Sequence, residues 1–194
     1  MSKILKILKI LRIYDLFLSI LILIIFSPII FIIFFICFIE TGSPFFIQLR
    51  VGRNKKSFKL LKFRTMRIDT PSLASHLINK KAVTRFGSFM RIVKLDELPQ
   101  LINVIRGEMS LVGPRPCLLN QEDLIKERIK RNIFSVKPGI TGLAQIEGID
   151  MSDPIKLSVI DKKMIDSLNQ INYLKYLIST LLGKGIGDKV KNFN

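Results

Sequence analysis

The sequence predicts a mainly helical α+β protein. An N-terminal helical hairpin dips into the membrane and returns, a small β-hairpin follows, and amphipathic surface helices complete the fold. Three observations carry this reading. An apolar run from Leu16 to Ile39 has basic residues on both flanks; Phe45–Val51 and Ser57–Phe63 are short aromatic and branched stretches separated by Gly52-Arg53-Asn54; and later segments repeat apolar residues at helical spacing.

The 194 residues leave room for one modest domain plus an anchor. We divide them into a re-entrant membrane anchor at 1–40, a domain at 41–183 and a flexible basic tail at 184–194. The chain is 48% hydrophobic yet carries a net charge of +16. The charge calls for anionic partners such as a bilayer surface, phosphorylated substrates or nucleic acid, and the apolar excess near the N-terminus calls for lipid. With two cysteines and one histidine, the chain offers no disulfide framework, zinc cluster or Ser-His or Cys-His nucleophile pair. Any chemistry therefore falls to carboxylates.

Only Ser19, Ser27 and Pro28 interrupt the apolar run. Lys3, Lys6, Lys9 and Arg12 precede it and Arg50, Arg53, Lys55, Lys56 and Lys59 follow it, so both flanks ask for the cytoplasmic side. Proline at mid-run removes a backbone donor, and the serine hydroxyl can satisfy the freed carbonyl. Each half, about twelve residues or ~18 Å of helix, is too short to cross alone. This favours a re-entrant hairpin broken at Ser27-Pro28; a kinked spanning helix is the alternative. The run is too long, and Thr41-Gly42-Ser43-Pro44 too poor a cleavage site, for a signal peptide.

Beyond the anchor, the two aromatic stretches read as a β-hairpin. Asp69–Lys81 reads as a polar loop or short helix in which His76 has no assigned role. Asp96–Ile105 carries Leu98, Leu101, Ile102 and Ile105 at helical spacing, with two acids in its first turn and Gly107 at its end. Leu118–Phe134 is a charged helix. Ile171–Leu182 puts Ile171, Leu174, Leu177, Ile178, Leu181 and Leu182 on one face, with Gly183 as C-cap. That face suits core packing and membrane-surface docking equally.

Four stretches mix charge with rigid backbone: Lys62-Phe63-Arg64-Thr65-Met66, Leu95 to Gln100 around Asp96-Glu97, Gly113-Pro114-Arg115-Pro116, and Lys137 to Gly142. Cations and exposed N–H groups bind phosphate, and arginine does so with two prongs. Carboxylates can act as nucleophiles toward phosphorus. Taken singly, Asp96-Glu97 reads first as a helix N-terminus, Arg115 as a surface loop residue and Lys62 and Arg64 as a solvated hairpin face. No stretch matches the phosphate-binding loop of kinases and GTPases.

In combination these stretches resemble the bacterial sugar transferases known as monotopic phosphoglycosyl transferases. The likeness runs from about Ile10 to Leu182 and takes in Ser27-Pro28, Lys62 to Met66, Thr84-Arg85-Phe86-Gly87, Leu95 to Leu101, Met109 to Pro116 and Pro138 to Gln145, in family order. It implies a re-entrant membrane helix, an active site at the cytoplasmic face of the bacterial inner membrane, and Mg²⁺ dependence. It also implies a UDP-sugar donor with undecaprenyl phosphate as acceptor, in a two-step reaction that initiates a cell-surface glycan. By the same resemblance Asp96 is the nucleophile and metal ligand and Glu97 assists. Arg91 and Arg115 hold phosphate, Lys62 and Arg64 support substrate or lipid headgroup, and Asp161 matches a family aspartate. Inner-membrane lipid is a partner, nucleic acid is not, and homodimerisation is left open. The chain departs from the pattern at Leu143, where many relatives have tryptophan, at Glu147-Gly148-Ile149-Asp150, and at Met164, where tyrosine is usual. Two other readings compete. A polytopic transferase needs many spanning segments, and a membrane-anchored nucleic-acid-binding or scaffold protein leaves the acid pair and Pro-Arg-Pro unexplained.

Overall fold

Helix α1 (Lys3–Thr41) carries the whole apolar run in 39 residues of the computed structural model, with Pro28 inside it. The structure describes residues 3–70 and 82–184, with side chains from Ile7 onward; most of the polar stretch, with His76, and the basic tail after Lys184 lie outside the described residues. Pro28 cannot bond the carbonyl four residues back, that of Ile24, and the Ser27 hydroxyl donates to that oxygen at 2.8 Å. Helical geometry therefore continues through the proline. Among the described residues α1 alone is long and apolar enough to cross a membrane by length and composition.

Both halves of α1 pack on the same domain. Leu11 joins Leu101, Val104, Leu111 and Tyr173 in one core cluster, while Ile33 and Cys37 join Phe63 and Met90 in another. The remaining face is apolar and bare: Ile13, Phe17, Ile24, Phe31 and Ile39 are all more than 60% exposed. So large an uncovered surface belongs against lipid.

Strands β1 (Phe45–Val51) and β2 (Ser57–Phe63) form the expected antiparallel hairpin, in register from Phe45 opposite Phe63 to Val51 opposite Ser57. Helix α2 (Arg85–Ile92) follows, capped by the Thr84 hydroxyl, which accepts from the Gly87 amide at 2.9 Å. The predicted helix at Asp96–Ile105 is divided. A 3-10 turn covers Leu95–Glu97, and α3 (Gln100–Arg106) starts after Leu98-Pro99. Lys94 enters the turn in a left-handed conformation (φ 58°), and Gly107 closes α3 at φ 84°.

Strand β3 (Ser110–Val112) lies parallel to β4 (Gly139–Thr141), which occupies the middle of the stretch Lys137–Gly142. Glycine is required where the two meet, since a Cβ on Gly139 would stand 2.0 Å from the Gly113 nitrogen. The charged helix read at Leu118–Phe134 shrinks to α4 (Glu122–Lys130), and Leu118 instead makes an isolated antiparallel bridge to Arg50. Helices α5 (Leu143–Ile146), α6 (Pro154–Asp166) and α7 (Gln170–Leu181) complete the chain.

Candidate active site

The acid pair sits where β2, α2 and α3 converge. Thr65 anchors the junction, its carbonyl accepting from the Thr84 amide at 3.0 Å. Gly87 is pressed onto it: a Cβ there would lie 2.3 Å from the Thr65 oxygen. Thus Lys62 to Met66 and Thr84 to Gly87, far apart in sequence, form one joint. From it α2 runs to Arg91, which is buried in the last turn, and the chain reverses at Lys94 into Asp96-Glu97.

Asp96 is only 5% exposed, whereas an acid at an ordinary helix start faces water. Glu97 meets Arg115, whose Nη2 stands 3.2 Å from Glu97 Oε1, so the structure brings the acid pair and Pro-Arg-Pro together. Lys62 places its ammonium 5.9 Å from the Phe46 ring centroid. Arg64 does something different. Its Nε donates to the Ser43 carbonyl at 3.0 Å and its Nη2 to the Phe45 carbonyl at 3.2 Å, which ties the end of α1 to β1.

Asp161 is 1% exposed and does not line an open site. Its Oδ2 accepts from Arg128 Nη2 at 2.7 Å and Nε at 3.1 Å, and Arg128 Nη1 donates to the Arg115 carbonyl at 2.8 Å. Burial pushes the Asp161 carboxyl up, and the Arg128 guanidinium opposes that. Asp161 is therefore linked through Arg128 to the backbone of Arg115. A second buried arginine does the same one residue on, for Arg50 Nη1 donates to the Pro116 carbonyl at 3.0 Å while its Nη2 donates to Gln48 Oε1 at 2.5 Å.

Sequence reasoning missed Arg50, Gln48 and Arg128. A signal existed: Gln48 and Arg50 alternate in β1, which puts both on one face, and a polar pair facing inward on a strand needs partners. Asp15 was missed too. Its Oδ1 accepts from Ser110 Oγ at 2.9 Å, the Leu111 amide at 2.8 Å and the Tyr173 hydroxyl at 2.6 Å, which pins α1 to β3 and α7. The departures at Leu143 and Met164 touch each other, the Leu143 amide lying 3.3 Å from Met164 Sδ.

Among the described residues no group of three His, Cys, Asp or Glu side chains could cage a metal. The donor set of Asp96 and Glu97 still suits Mg²⁺, which keeps several waters and takes one or two carboxylates together with substrate phosphates.

A buried Asp96 beside a half-buried Glu97, joined to a backbone-anchored arginine loop on a domain that carries a long bare apolar helix, makes a charged site on a membrane-associated protein. The family profile described as bacterial sugar transferase matches residues 6–184, and the chain belongs to that family. It is therefore a transferase, not the nucleic-acid-binding or scaffold protein weighed above. The sugar transferase EpsL of Bacillus subtilis is 38% identical over 157 residues, 80% of this chain and 77% of that protein. A UDP-glucose:undecaprenyl-phosphate glucose-1-phosphate transferase of Caulobacter vibrioides is 44% identical over 112 residues, 56% of this chain and 42% of that protein. A UDP-galactose-lipid carrier transferase of Erwinia amylovora is 40% identical over 127 residues, covering 55% of this chain and 26% of that protein. The chain thus spans less than half the length of the latter two.

Proposed function

We propose that this protein moves a sugar-1-phosphate from a UDP-sugar to undecaprenyl phosphate and releases UMP, as the first step of a cell-surface glycan. The observation that carries the reading is the burial of Asp96 beside a Glu97–Arg115 pair whose loop is gripped by buried arginines. In the first step an Asp96 oxygen attacks the β-phosphorus, the bond from that phosphorus to the bridging oxygen breaks, and UMP leaves with the bridging oxygen. In the second, a phosphate oxygen of the lipid attacks the same phosphorus and frees the Asp96 carboxylate. Two displacements at one phosphorus let one carboxylate serve both substrates. Arg115 and Arg91 offset phosphate charge, and Glu97 holds the Arg115 fork in its orientation. Asp96 and Glu97 would hold Mg²⁺, which neutralises diphosphate charge when bound.

The packing of both halves of α1 on one domain, with the Pro28 interruption between them, supports entry and exit at a single, cytoplasmic face, with Ser27-Pro28 at the deepest point. The names of the relatives support the donor and acceptor classes.

The test uses the protein with a panel of UDP-sugars and Mg²⁺ but no lipid acceptor. Up to one equivalent of UMP should appear, with a sugar-phosphate mass on the peptide containing Asp96. Asp96→Asn should lose both signals, because an amide of nearly equal size is a poor nucleophile toward phosphorus. Turnover by Asp96→Asn near the wild-type rate, with no adduct in either protein, would overturn the two-step route.

A further inference from the structure

A pocket of about 270 Å³ opens between the first turns of α1, the β1–β2 turn, Ser110 to Pro114, Val136-Lys137 and the end of α6. Lys62, Arg64, Arg91, Asp96, Glu97 and Arg115 are all absent from its lining. Four cations, Lys9, Arg12, Arg53 and Lys137, line it against one carboxylate, Asp15. Lys9 and Arg53 are exposed, while Arg12 and Lys137 are partly buried.

The two inner cations are held as neighbours. Arg12 is fixed at the C-terminal end of α3, where its Nη1 and Nη2 donate to the Val104 and Ile105 carbonyls at 2.6 and 3.0 Å. Lys137 Nζ and Arg12 Nη2 lie 3.5 and 3.6 Å from the point where a Cβ on Gly107 would stand, so a bare glycine leaves room for both heads. Burial first, then the Arg12 charge, pulls the Lys137 ammonium below the usual lysine range; Asp15 opposes this and Arg53 adds to it. The Asp15 oxygen that binds Ser110, Leu111 and Tyr173 is already committed to the scaffold. Like charges gathered in a partly desolvated cleft repel one another, and an anion of matching size relieves both costs.

We propose that this pocket is a second phosphate-binding site, apart from the acid pair, in which Arg12 and Lys137 grip the phosphate and Lys9 and Arg53 close over it. The apolar walls, among them Val112, Met164 and Leu168, accept an organic substituent on that phosphate. Two sources share this chemistry: a free phosphate, inorganic or on a small metabolite, and the headgroup of an anionic lipid at the foot of α1.

The test reads Lys137 itself and needs no transfer activity. Full-length protein is acetylated with an amine-reactive ester, and modification of the Lys137 peptide is measured by mass spectrometry. Inorganic phosphate added in neutral detergent should protect Lys137 by about ten-fold if the source is a free phosphate, as expected for a charge-assisted contact. Protection found only in nanodiscs of phosphatidylglycerol, and not of phosphatidylcholine, assigns the site to a lipid headgroup. Arg53→Gln, at an exposed position, should abolish the protection, and Arg115→Ala should leave it intact. Equal modification of Lys137 under all conditions would overturn the site. So would protection that survives Arg53→Gln or disappears with Arg115→Ala, since the anion would then sit elsewhere.

Discussion

Arg115 is held at both ends, its guanidinium on Glu97 and its carbonyl on Arg128, so the side chain and the backbone can be tested apart. Arg115→Lys keeps the charge and loses the planar fork. It should recover part of the activity lost in Arg115→Ala, on the order of ten-fold, in initial rates of UMP release, with the melting temperature unchanged; lysine activity equal to wild type would reduce the arginine to a point charge. Behind the loop the outcome should be different in kind. Arg128→Met leaves the Asp161 carboxylate buried without its partner, so the midpoint of denaturant unfolding should drop by an amount equivalent to about 3–5 kcal/mol. The double variant Arg128→Met, Asp161→Leu should recover much of that stability and little activity, because no group then holds the Arg115 carbonyl. Stability and activity falling together in both variants would make the pair merely structural. Leu143 and Met164 were visible as departures from the family pattern, but their contact was not, since 21 positions separate them.

In α1 the structure shows what the Ser27-Pro28 pair does locally. Proline removes the amide that would bond Ile24, and Ser27 takes its place, so the helix continues but its ladder is weaker there. Cysteine labels near Lys6 and at Lys56 should react from the same side of sealed vesicles; both native cysteines are buried and give little background. Pro28→Leu, which restores the amide, should favour a straight crossing and move one label to the opposite side. Opposite-side labelling in the wild-type protein would rule out the re-entrant path. The hairpin of β1 and β2 and the amphipathic α7 were legible because alternation and helical spacing are local properties. The strand at Gly139–Thr141 was not, because its stability comes from pairing with β3 across a close glycine contact. The division before α3 was hidden for a similar reason: lysine has no preference for the left-handed conformation that Lys94 adopts, and the next residue, Leu95, packs against a core cluster built from distant residues.

Across the whole molecule, apolar surface is left bare on several helices. Besides α1, α2 exposes Phe89 and Ile92 at 53% and 58%, and α7 exposes Leu181 and Leu182 at 85% and 76%. Such surface favours a domain that rests on the bilayer as well as being tethered to it. Replacing Leu181 and Leu182 with glutamate should weaken membrane retention by about 2 kcal/mol per residue, read as earlier release in a salt and detergent series. The circular dichroism spectrum should not change, since neither side chain supports the core. A loss of folding instead would place α7 in the protein interior. The apolar run, its paired basic flanks, the hairpin and the order of the charged motifs follow from residue type and short spacing, which is why sequence reading reached the long apolar helix, the β-hairpin and the family. The burial of Asp96, the grip of Arg50 and Arg128 on the Pro-Arg-Pro backbone, the buried pairing of Asp161 with Arg128, and the gathering of Arg12 and Lys137 beside Gly107 depend on tertiary structure alone. Each joins residues distant in sequence, and charge burial is set by what packs around a group, which no local spacing encodes.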